Sequence, residues 1–283
     1  MNAASTTEFG HLPAIQLQAP DGAVAIITLF GAHVVSWHTA DGRQRLFCSR
    51  QSPLDGSAAI RGGVPVIFPQ FSTRGTGLRH GYARLSTWRL GDSGVRGAAA
   101  FAEFHLRRDD VPAALAAACH FDFALTLTVT LHKDALTMAL GVHNSGAGPF
   151  AFSAALHSYH AVAQMQQASL AGLDGLRYTD HTGAAGVQAG GALFFSDHID
   201  NIYYDVARPL ALHDGAAAIT LAIEQTGFSD AVVWNPGRAN AAGLSDMADD
   251  EFAHFVCVEA AQIAPLELPA GARWSGQQTL RVA

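Results

Sequence analysis

The sequence predicts an all-β fold, a large antiparallel β-sandwich, on two observations. Apolar and polar residues alternate in many short runs, with the period of two that a strand with one buried face requires. Clusters of Gly, Pro, Asn or Asp separate most of these runs, as turns separate short strands. Because one sandwich can hold 283 residues, we expect residues 1–283 to form a single domain.

The longest alternating run begins at Phe121 and places an apolar residue at every second position as far as Leu131. Residues 132–134 predict a turn, and the alternating run 136–142 follows, so the two runs should pair as an antiparallel hairpin. Shorter runs predict further strands at 24–30, 101–106, 150–156, 218–223, 231–234, 255–258 and 278–282.

Two Ala-rich segments favour helix by propensity and so conflict with this pattern. Residues 111–120 predict a short surface helix or loop. Residues 161–170 lie between strand-like runs, and there we expect tertiary context to override helix propensity.

Composition and charge exclude several classes of protein. Apolar residues make up 49% of the chain and charged residues 14%, which indicates an ordered, core-forming sequence. The net charge of −7 does not attract nucleic acid or an anionic membrane, so an anionic ligand would need a local cluster of Arg. Neither a signal peptide nor a membrane-spanning stretch is apparent, and we expect a cytoplasmic monomer.

The sequence predicts neither a metal nor a cofactor. Cys48, Cys119 and Cys257 are odd in number and far apart, which favours reduced, buried thiols over disulfides or a zinc site. The 14 His residues include no HExxH motif and no cluster at zinc spacing. Phosphate-loop, dinucleotide-binding and GxSxG motifs are also absent from the sequence.

Two basic segments are candidate binding loops. Residues 61–69, R-G-G-V-P-V-I-F-P, combine Arg61 with glycines that permit unusual dihedral angles and prolines that fix the path. Residues 79–84, R-H-G-Y-A-R, place Arg79, His80 and Arg84 within six positions, and guanidinium groups bind phosphate well. Each segment, taken alone, is equally compatible with a solvated basic turn.

His157 and Glu259 are candidates for acid–base chemistry. His157 ends a strand face of small residues, which leaves space beside the ring as a ligand cleft would. Glu259 continues the apolar face of Phe255 and Cys257, where a carboxylate must be paired or have a raised pKa. The alternative is that the His is structural and the Glu forms a salt bridge.

Together these segments resemble the aldose 1-epimerase superfamily, and within it the glucose-6-phosphate 1-epimerase branch. The most specific match is I-R-G-G-V-P-V-I-F-P-Q-F at 60–71, followed by H-G-Y-A-R at 80–84. The other matching segments, in family order, are G-A-H-V-V-S-W at 31–37, L-H-S-Y at 156–159, D-N-I-Y at 200–203, V-V-W-N-P at 232–236 and the closing segment 258–276.

The resemblance implies a β-sandwich of the galactose-mutarotase-like type, with an open cleft on one sheet. It implies His157 as general acid and Glu259 as general base. It further implies that Arg61 and Arg84 bind the phosphate or sugar hydroxyls, and that His80 and Asp200 orient the sugar ring.

The chain departs from the branch pattern at three places. Arg79 stands where the branch commonly has Gln, Gly237-Arg238 replaces an aromatic, and Ala260-Ala261 replaces a Pro-Gly or similar pair. Arg79 is therefore an additional substrate-binding candidate, and Arg238 could alter the phosphate site.

The expected reaction is interconversion of the α and β anomers of an aldohexose 6-phosphate, a small-molecule substrate, by acid–base ring opening. The alternatives are the same chemistry on an unphosphorylated aldose, and a non-catalytic carbohydrate-binding sandwich. The second would show aromatic residues in the cleft, with Trp37, Trp88, Trp234 and Trp274 as candidates. Glycoside hydrolysis is disfavoured because it usually needs two carboxylates.

Overall fold

The computed structural model describes residues 3–283, and nearly all of its regular structure is β-strand. The α-helices are short: α1 (Ala113–Ala116) and α2 (Gly237–Ala241). The strands are β1 (Ala4–Phe9), β2 (Leu12–Gln18), β3 (Val24–Thr28), β4 (His33–His38), β5 (Val66–Ile67), β6 (Arg89–Arg96), β7 (Ala99–Arg107), β8 (Phe123–Leu131), β9 (Ala135–Asn144), β10 (Phe150–Leu156), β11 (Tyr159–Ala161), β12 (Ala168–Ala171), β13 (Arg177–Thr179), β14 (Ala185–Val187), β15 (Leu193–Phe194), β16 (Ile199–Tyr203), β17 (Leu210–Asp214), β18 (Ile219–Thr226), β19 (Asp230–Asn235), β20 (Phe255–Leu268) and β21 (Arg273–Val282).

The strands form three antiparallel sheets, which confirms the predicted all-β class. A four-stranded sheet has the order β1-β2-β3-β4. An eight-stranded sheet has the order β14-β13-β16-β19-β20-β10-β5, with β11 also paired to β20. A nine-stranded sheet has the order β15-β12-β17-β18-β21-β9-β8-β7-β6.

The predicted hairpin is present as β8 and β9. The two strands pair from Phe123 with Asn144 to Leu131 with Leu136, around the turn at residues 132–134. In β8 each Phe, Leu and Val is buried and alternates with a half-buried Ala or Thr, as the period of two requires.

The main core lies between the two large sheets and also receives side chains from the four-stranded sheet. Leu127 and Leu140 of the nine-stranded sheet belong to the same buried cluster as Val256 and Val258 of β20. A second, smaller cluster, which includes Val232 and Ile202, lies on the outer face of the eight-stranded sheet. That outer face carries the site described below.

Both Ala-rich segments behave as expected. The segment 111–120 contains only the four-residue helix α1. The segment 161–170 contains a 3₁₀ turn, Met165–Gln167, and the start of β12, because pairing with β17 overrides helix propensity.

All three cysteines are free thiols, and Cys119 and Cys257 are buried. The prediction of burial is wrong for Cys48, which is only partly buried because it lies in the loop before the Arg61 segment rather than in a strand of the core. Among the described residues, no helix combines the length and hydropathy needed to cross a membrane.

Candidate active site

Strand register places three candidate residues on one face of the eight-stranded sheet. Asp200 of β16 lies opposite Trp234 of β19, and Val232, two residues earlier on β19, lies opposite Glu259 of β20. Residues two apart on a strand share a face, and opposite residues on neighbouring strands do too. Asp200, Trp234 and Glu259 therefore point to the same outer face.

His157 joins this face where a strand is interrupted. Leu156 at the end of β10 pairs with Ala260, and Tyr159 at the start of β11 pairs with Cys257. Continuing this register across the interruption sets His157 opposite Glu259. His157 Nε2 lies 3.3 Å from Glu259 Oε1, so the predicted acid and base are in contact.

The Arg61 segment crosses the edge of this sheet, and its glycines are required by close backbone contacts. Gly62 has φ +119°, and a Cβ there would lie 2.4 Å from the Cα of Cys48. Gly63 has φ +56°, and a Cβ there would lie 2.4 Å from the carbonyl oxygen of Val34. Any larger residue would displace the segment, and Arg61 with it.

Arg61 is held by a carboxylate within the cleft. Its Nε and Nη2 donate to the two Asp246 oxygens, each at 3.1 Å, and its Nη1 donates to the Tyr159 hydroxyl at 3.2 Å. Burial alone would lower the pKa of Arg61, but Tyr159 and Asp246 outweigh burial and raise it. The charge of Arg61 is therefore compensated in the absence of any ligand.

The segment 79–84 folds over the opposite side of the cleft through a strained turn. His80 has φ +62°, unusual for a residue with a Cβ. Gly81 follows with φ +68°, and a Cβ there would lie 2.0 Å from the carbonyl oxygen of Phe68. This turn directs the imidazole of His80 inward, where its ring centroid lies 5.7 Å from that of His157.

The tautomer of His80 follows from its contacts. The backbone N–H of Ser72 donates to His80 Nδ1 at 3.3 Å, so the ring proton of a neutral imidazole must be on Nε2. Burial, followed by Arg84, Arg79 and Arg61, lowers the pKa of His80 to about 3, which keeps the ring neutral. His80 is therefore positioned as a hydrogen-bond donor.

Arg84 is a cleft cation that forms no salt bridge within the described residues, although the more distant Asp246 favours its charged form. Its Nη2 donates to the backbone oxygen of Arg79 at 3.0 Å, and its Nε is buried with no hydrogen-bond partner in residues 3–283. Burial lowers the pKa of Arg84 to about 10, which still leaves the guanidinium charged at neutral pH. The side chain of Arg84 can thus accept an anion without first losing a salt bridge.

All seven predicted site residues line one cleft. The full set is Arg61, Arg79, His80, Arg84, His157, Asp200 and Glu259. Sequence reasoning gave no role to Tyr159 or Asp246, which line the cleft together with the candidate aromatic Trp234. The alternating run that places Tyr159 on the face of His157 gave a signal for Tyr159, and no signal pointed to Asp246.

The His157–Glu259 pair is buried and held in an uncharged form. The Glu259 side chain is 0% exposed, and burial, followed by the charge of Asp200, raises its pKa well above the ordinary value. Burial, followed by His80, Arg61 and Arg84, holds the pKa of His157 well below the ordinary value. Both shifts favour the uncharged forms, a neutral imidazole at His157 and a protonated carboxyl group at Glu259.

Asp200 lies at the rim of the cleft and is partly buried. Burial raises its pKa, whereas the neighbouring His198, His181, Arg79 and Arg74 act in the opposite direction. The carboxyl group of Asp200 is suited to bind a hydroxyl beside the His157–Glu259 pair.

Other candidates lie outside the cleft. Arg238 sits over the ring of Phe252, 5.1 Å from its centroid, and is not among the lining residues, so the suggested effect on a phosphate site does not follow from its position. Trp37 and Trp88 are buried in the core, and Trp274 packs against Phe152. Trp234 is the one of the four tryptophans that lines the cleft.

In residues 3–283 no group of three or more His, Cys, Asp or Glu side chains is arranged to hold a metal ion. The cleft brings a contacting His and Glu together with further carboxyl groups, three arginines and a tryptophan. That combination defines a candidate carbohydrate isomerase.

Comparison with protein families gives the same class. The model of the aldose 1-epimerase family matches residues 13–281. The chain therefore belongs to the aldose 1-epimerase family, which confirms the resemblance in its motifs, and it is an isomerase of the mutarotase type.

Individual relatives agree in name. A protein of Cenchrus ciliaris named "putative glucose-6-phosphate 1-epimerase" is 30% identical over 278 residues, 95% of this chain and 84% of the relative. A Salmonella typhimurium protein with the same name is 32% identical over 244 residues, 83% of this chain and 78% of the relative.

Solved structures confirm the sandwich type. A crystal structure titled as a "putative mutarotase" from Salmonella typhimurium has a TM-score of 0.90 and 29% identity, covering 99% of this chain and 94% of that one. A galactose mutarotase-like protein from Clostridium acetobutylicum has a TM-score of 0.73 at 15% identity, covering 100% and 98%. The second match supports the fold alone.

Proposed function

We propose that the protein interconverts the α and β anomers of an aldohexose 6-phosphate, with glucose 6-phosphate as the first substrate to test. The observation that carries the proposal is the contact between His157 and Glu259 in a cleft that also holds an uncompensated Arg84. The names of the relatives agree with a phosphorylated hexose.

Ring opening needs one proton removed and another delivered. Glu259 takes the proton of the anomeric hydroxyl while His157 protonates the ring oxygen, and the bond between the anomeric carbon and the ring oxygen breaks. Rotation about the adjoining carbon–carbon bond and the reverse transfers then close the other anomer. Each such general acid or base typically contributes about 10²–10⁴-fold to the rate.

The pair already holds the one proton that this chemistry uses. Transfer of that proton from the carboxyl of Glu259 to His157 Nε2, across their 3.3 Å contact, creates the carboxylate base and the imidazolium acid together. Arg84 is one cause of the low pKa of His157. A phosphate bound to Arg84 offsets that charge, so a phosphorylated substrate favours the active form.

Arg84 and Arg79 bind the phosphate in this proposal, and Arg61 binds either the phosphate or a sugar hydroxyl. Arg84 has no carboxylate partner to displace, and Arg79 is exposed at the same side of the cleft. Arg61, which Asp246 already neutralises, is better suited to a hydroxyl.

His80 and Asp200 orient the sugar ring. The Nε2–H of neutral His80 donates to a ring substituent, and Asp200 accepts from a hydroxyl on the opposite side. Trp234 stands edge-on to the rings of both His157 and Tyr159, and it supplies apolar surface for the carbon skeleton.

Two-dimensional NMR exchange spectroscopy at anomeric equilibrium tests the proposal, with glucose 6-phosphate and free glucose run in parallel. Exchange accelerated only for the phosphate would support both the reaction and the arginine site. Equal acceleration of both sugars would support an aldose mutarotase that does not select for phosphate. Binding without acceleration would leave a carbohydrate-binding protein and contradict the reaction.

A further inference from the structure

A buried glutamine on the core side of the eight-stranded sheet contacts the chain neighbours of both His157 and Glu259. Gln278 belongs to β21 of the nine-stranded sheet and is 0% exposed. Its side-chain Nε2 donates to the backbone oxygen of Val258 at 3.0 Å, and its Oε1 accepts from the hydroxyl of Ser158. One side chain therefore links the two sheets immediately beneath the acid–base pair.

The link lies where the backbone ladder of the eight-stranded sheet is interrupted. The N–H of Ser158 donates to Leu156 of its own strand at 3.0 Å, instead of reaching across to a neighbouring strand. His157 and Ser158 thus lie between β10 and β11, and Ser158 keeps only one of its two backbone bonds to Val258. The backbone N–H of His157 still donates to the Pro65 oxygen at 3.1 Å on the β5 side, so the missing ladder bond is the one from Ser158 towards β20, where the side chain of Gln278 bonds instead.

The side-chain and backbone bonds together close a small ring. The N–H of Val258 donates to the oxygen of Ser158 at 3.2 Å, so Ser158, Gln278 and Val258 are each bonded to the other two. His160, also buried, lies with its Nε2 3.3 Å from the Val258 oxygen. The three-membered ring of Ser158, Gln278 and Val258 is closed by hydrogen bonds, and buried polar networks of this kind rigidify their surroundings.

We propose that Gln278 is a positioning residue that keeps His157 Nε2 in contact with Glu259 Oε1 by tying Ser158 to Val258. Gln278 faces the core and is not among the residues that line the cleft, so it acts through these two neighbours and not on the substrate. The proposal rests on the mutarotase reaction proposed above.

Gln278→Leu removes both hydrogen bonds and replaces the amide with an apolar side chain of similar length. We expect kcat for glucose 6-phosphate to fall about tenfold to a hundredfold, because displacement of a reacting group by about 1 Å has effects of that size. Binding of 1,5-anhydroglucitol 6-phosphate, which lacks the anomeric hydroxyl and cannot react, should be unchanged by titration calorimetry. The pH limits of kcat should also move, since the contact between His157 and Glu259 sets them.

Gln277→Leu is the matched control, because Gln277 is the adjacent residue of the same strand and faces the other way, with its amide bonded to Thr279. It should keep the wild-type kcat. Ser158→Ala, a smaller change, removes only the bond to the Gln278 oxygen, and it should lower kcat in the same direction if Gln278→Leu fails to fold.

Rates are expressed per folded molecule, from circular dichroism and thermal melting of each variant. A folded Gln278→Leu or Ser158→Ala enzyme with wild-type kcat and pH limits would overturn the positioning role, as would equal losses in kcat and in analogue binding. Failure of the wild-type protein to accelerate anomer exchange would instead contradict the proposed function itself, so the two results are distinguishable.

Discussion

The floor and the rim of the cleft differ in charge, in burial and in the structure that supports them. The floor is the His157–Glu259 pair, which is buried, uncharged and carried by the sheet. The rim is a set of arginines carried by loops, of which Arg61 is neutralised by Asp246 and Arg84 is not. The sheet therefore supports the proposed chemistry, and the loops support the choice of substrate.

The difference also separates two arginines that the sequence presents as equivalent. Both belong to glycine-containing motifs and both line the cleft. Arg61 is held by two hydrogen bonds to a carboxylate, whereas Arg84 has a buried Nε without a partner among the described residues. Replacing Arg61, which has a salt bridge, and replacing Arg84, which has none, should therefore change KM for a phosphorylated sugar to different extents.

The largest expected effect comes from the floor. His157→Ala or Glu259→Gln should lower kcat for anomer exchange by at least about a hundredfold, because each variant removes one of the two proton-transferring groups. Glu259→Gln should also leave the fold intact, since burial disfavours the charged carboxylate and the amide has the same shape. Exchange spectroscopy and thermal melting measure the two properties.

Glu224→Gln is the matched control for the glutamate, because Glu224 is exposed on β18, far from the cleft-bearing face. Its exchange rate should equal that of the wild type. Near-wild-type activity in folded Glu259→Gln would remove Glu259 from the reaction.

The next effect comes from the uncompensated side of the rim. Arg84→Ala should raise KM for glucose 6-phosphate by about tenfold to a hundredfold, since a hydrogen bond to a charged group contributes about 1.5–3 kcal/mol. The same variant should leave exchange of free glucose unchanged. Arg238→Ala, which alters an arginine outside the cleft, serves as the control. An equal change of KM for both sugars would argue against a phosphate at Arg84.

A smaller and more complex effect is expected at Arg61. Arg61→Ala leaves the carboxylate of Asp246 without its partner inside the cleft, so that carboxylate should repel a phosphorylated sugar and raise KM. The double variant Arg61→Ala/Asp246→Ala removes the repulsion and should recover part of the lost affinity. Asp246→Ala alone provides the third corner of the cycle. If the double variant is as impaired as Arg61→Ala, Arg61 must contact the substrate directly.

Much of this site could be predicted from the sequence, because each residue lies within a local motif. The period of two placed His157 and Glu259 on particular strand faces, and antiparallel pairing brought those faces together. The partner of Arg61 could not be predicted in this way. Asp246 lies 185 positions away along the chain, in a loop without periodicity, and only tertiary folding brings it to the cleft.

The uncharged state of the floor was also only partly predictable. The apolar run before Glu259 indicated a raised pKa, as the structure shows. The opposite shift at His157 depends on complete burial and on His80, Arg61 and Arg84, which come from separate loops. Such a sum of distant contributions has no signature in any one segment.

The smallest expected effect is the response of kcat to pH, which should show no midpoint near the ordinary imidazole value of 6.5. Burial, then His80, Arg61 and Arg84, lowers the pKa of His157, so a second proton binds to the pair only well below that pH. Burial, then Asp200, raises the pKa of Glu259, so the remaining proton is lost only well above the ordinary 4.5. Between these limits the pair holds the single proton that the reaction needs, and kcat should not change with pH.

Rates at saturating glucose 6-phosphate isolate this behaviour, because the phosphate itself titrates near about pH 6 and affects binding. Asp200→Asn removes the second cause of the raised pKa of Glu259 and should move the alkaline limit to lower pH, whereas a wild-type midpoint near 6.5 would mean that His157 is solvated in the working enzyme.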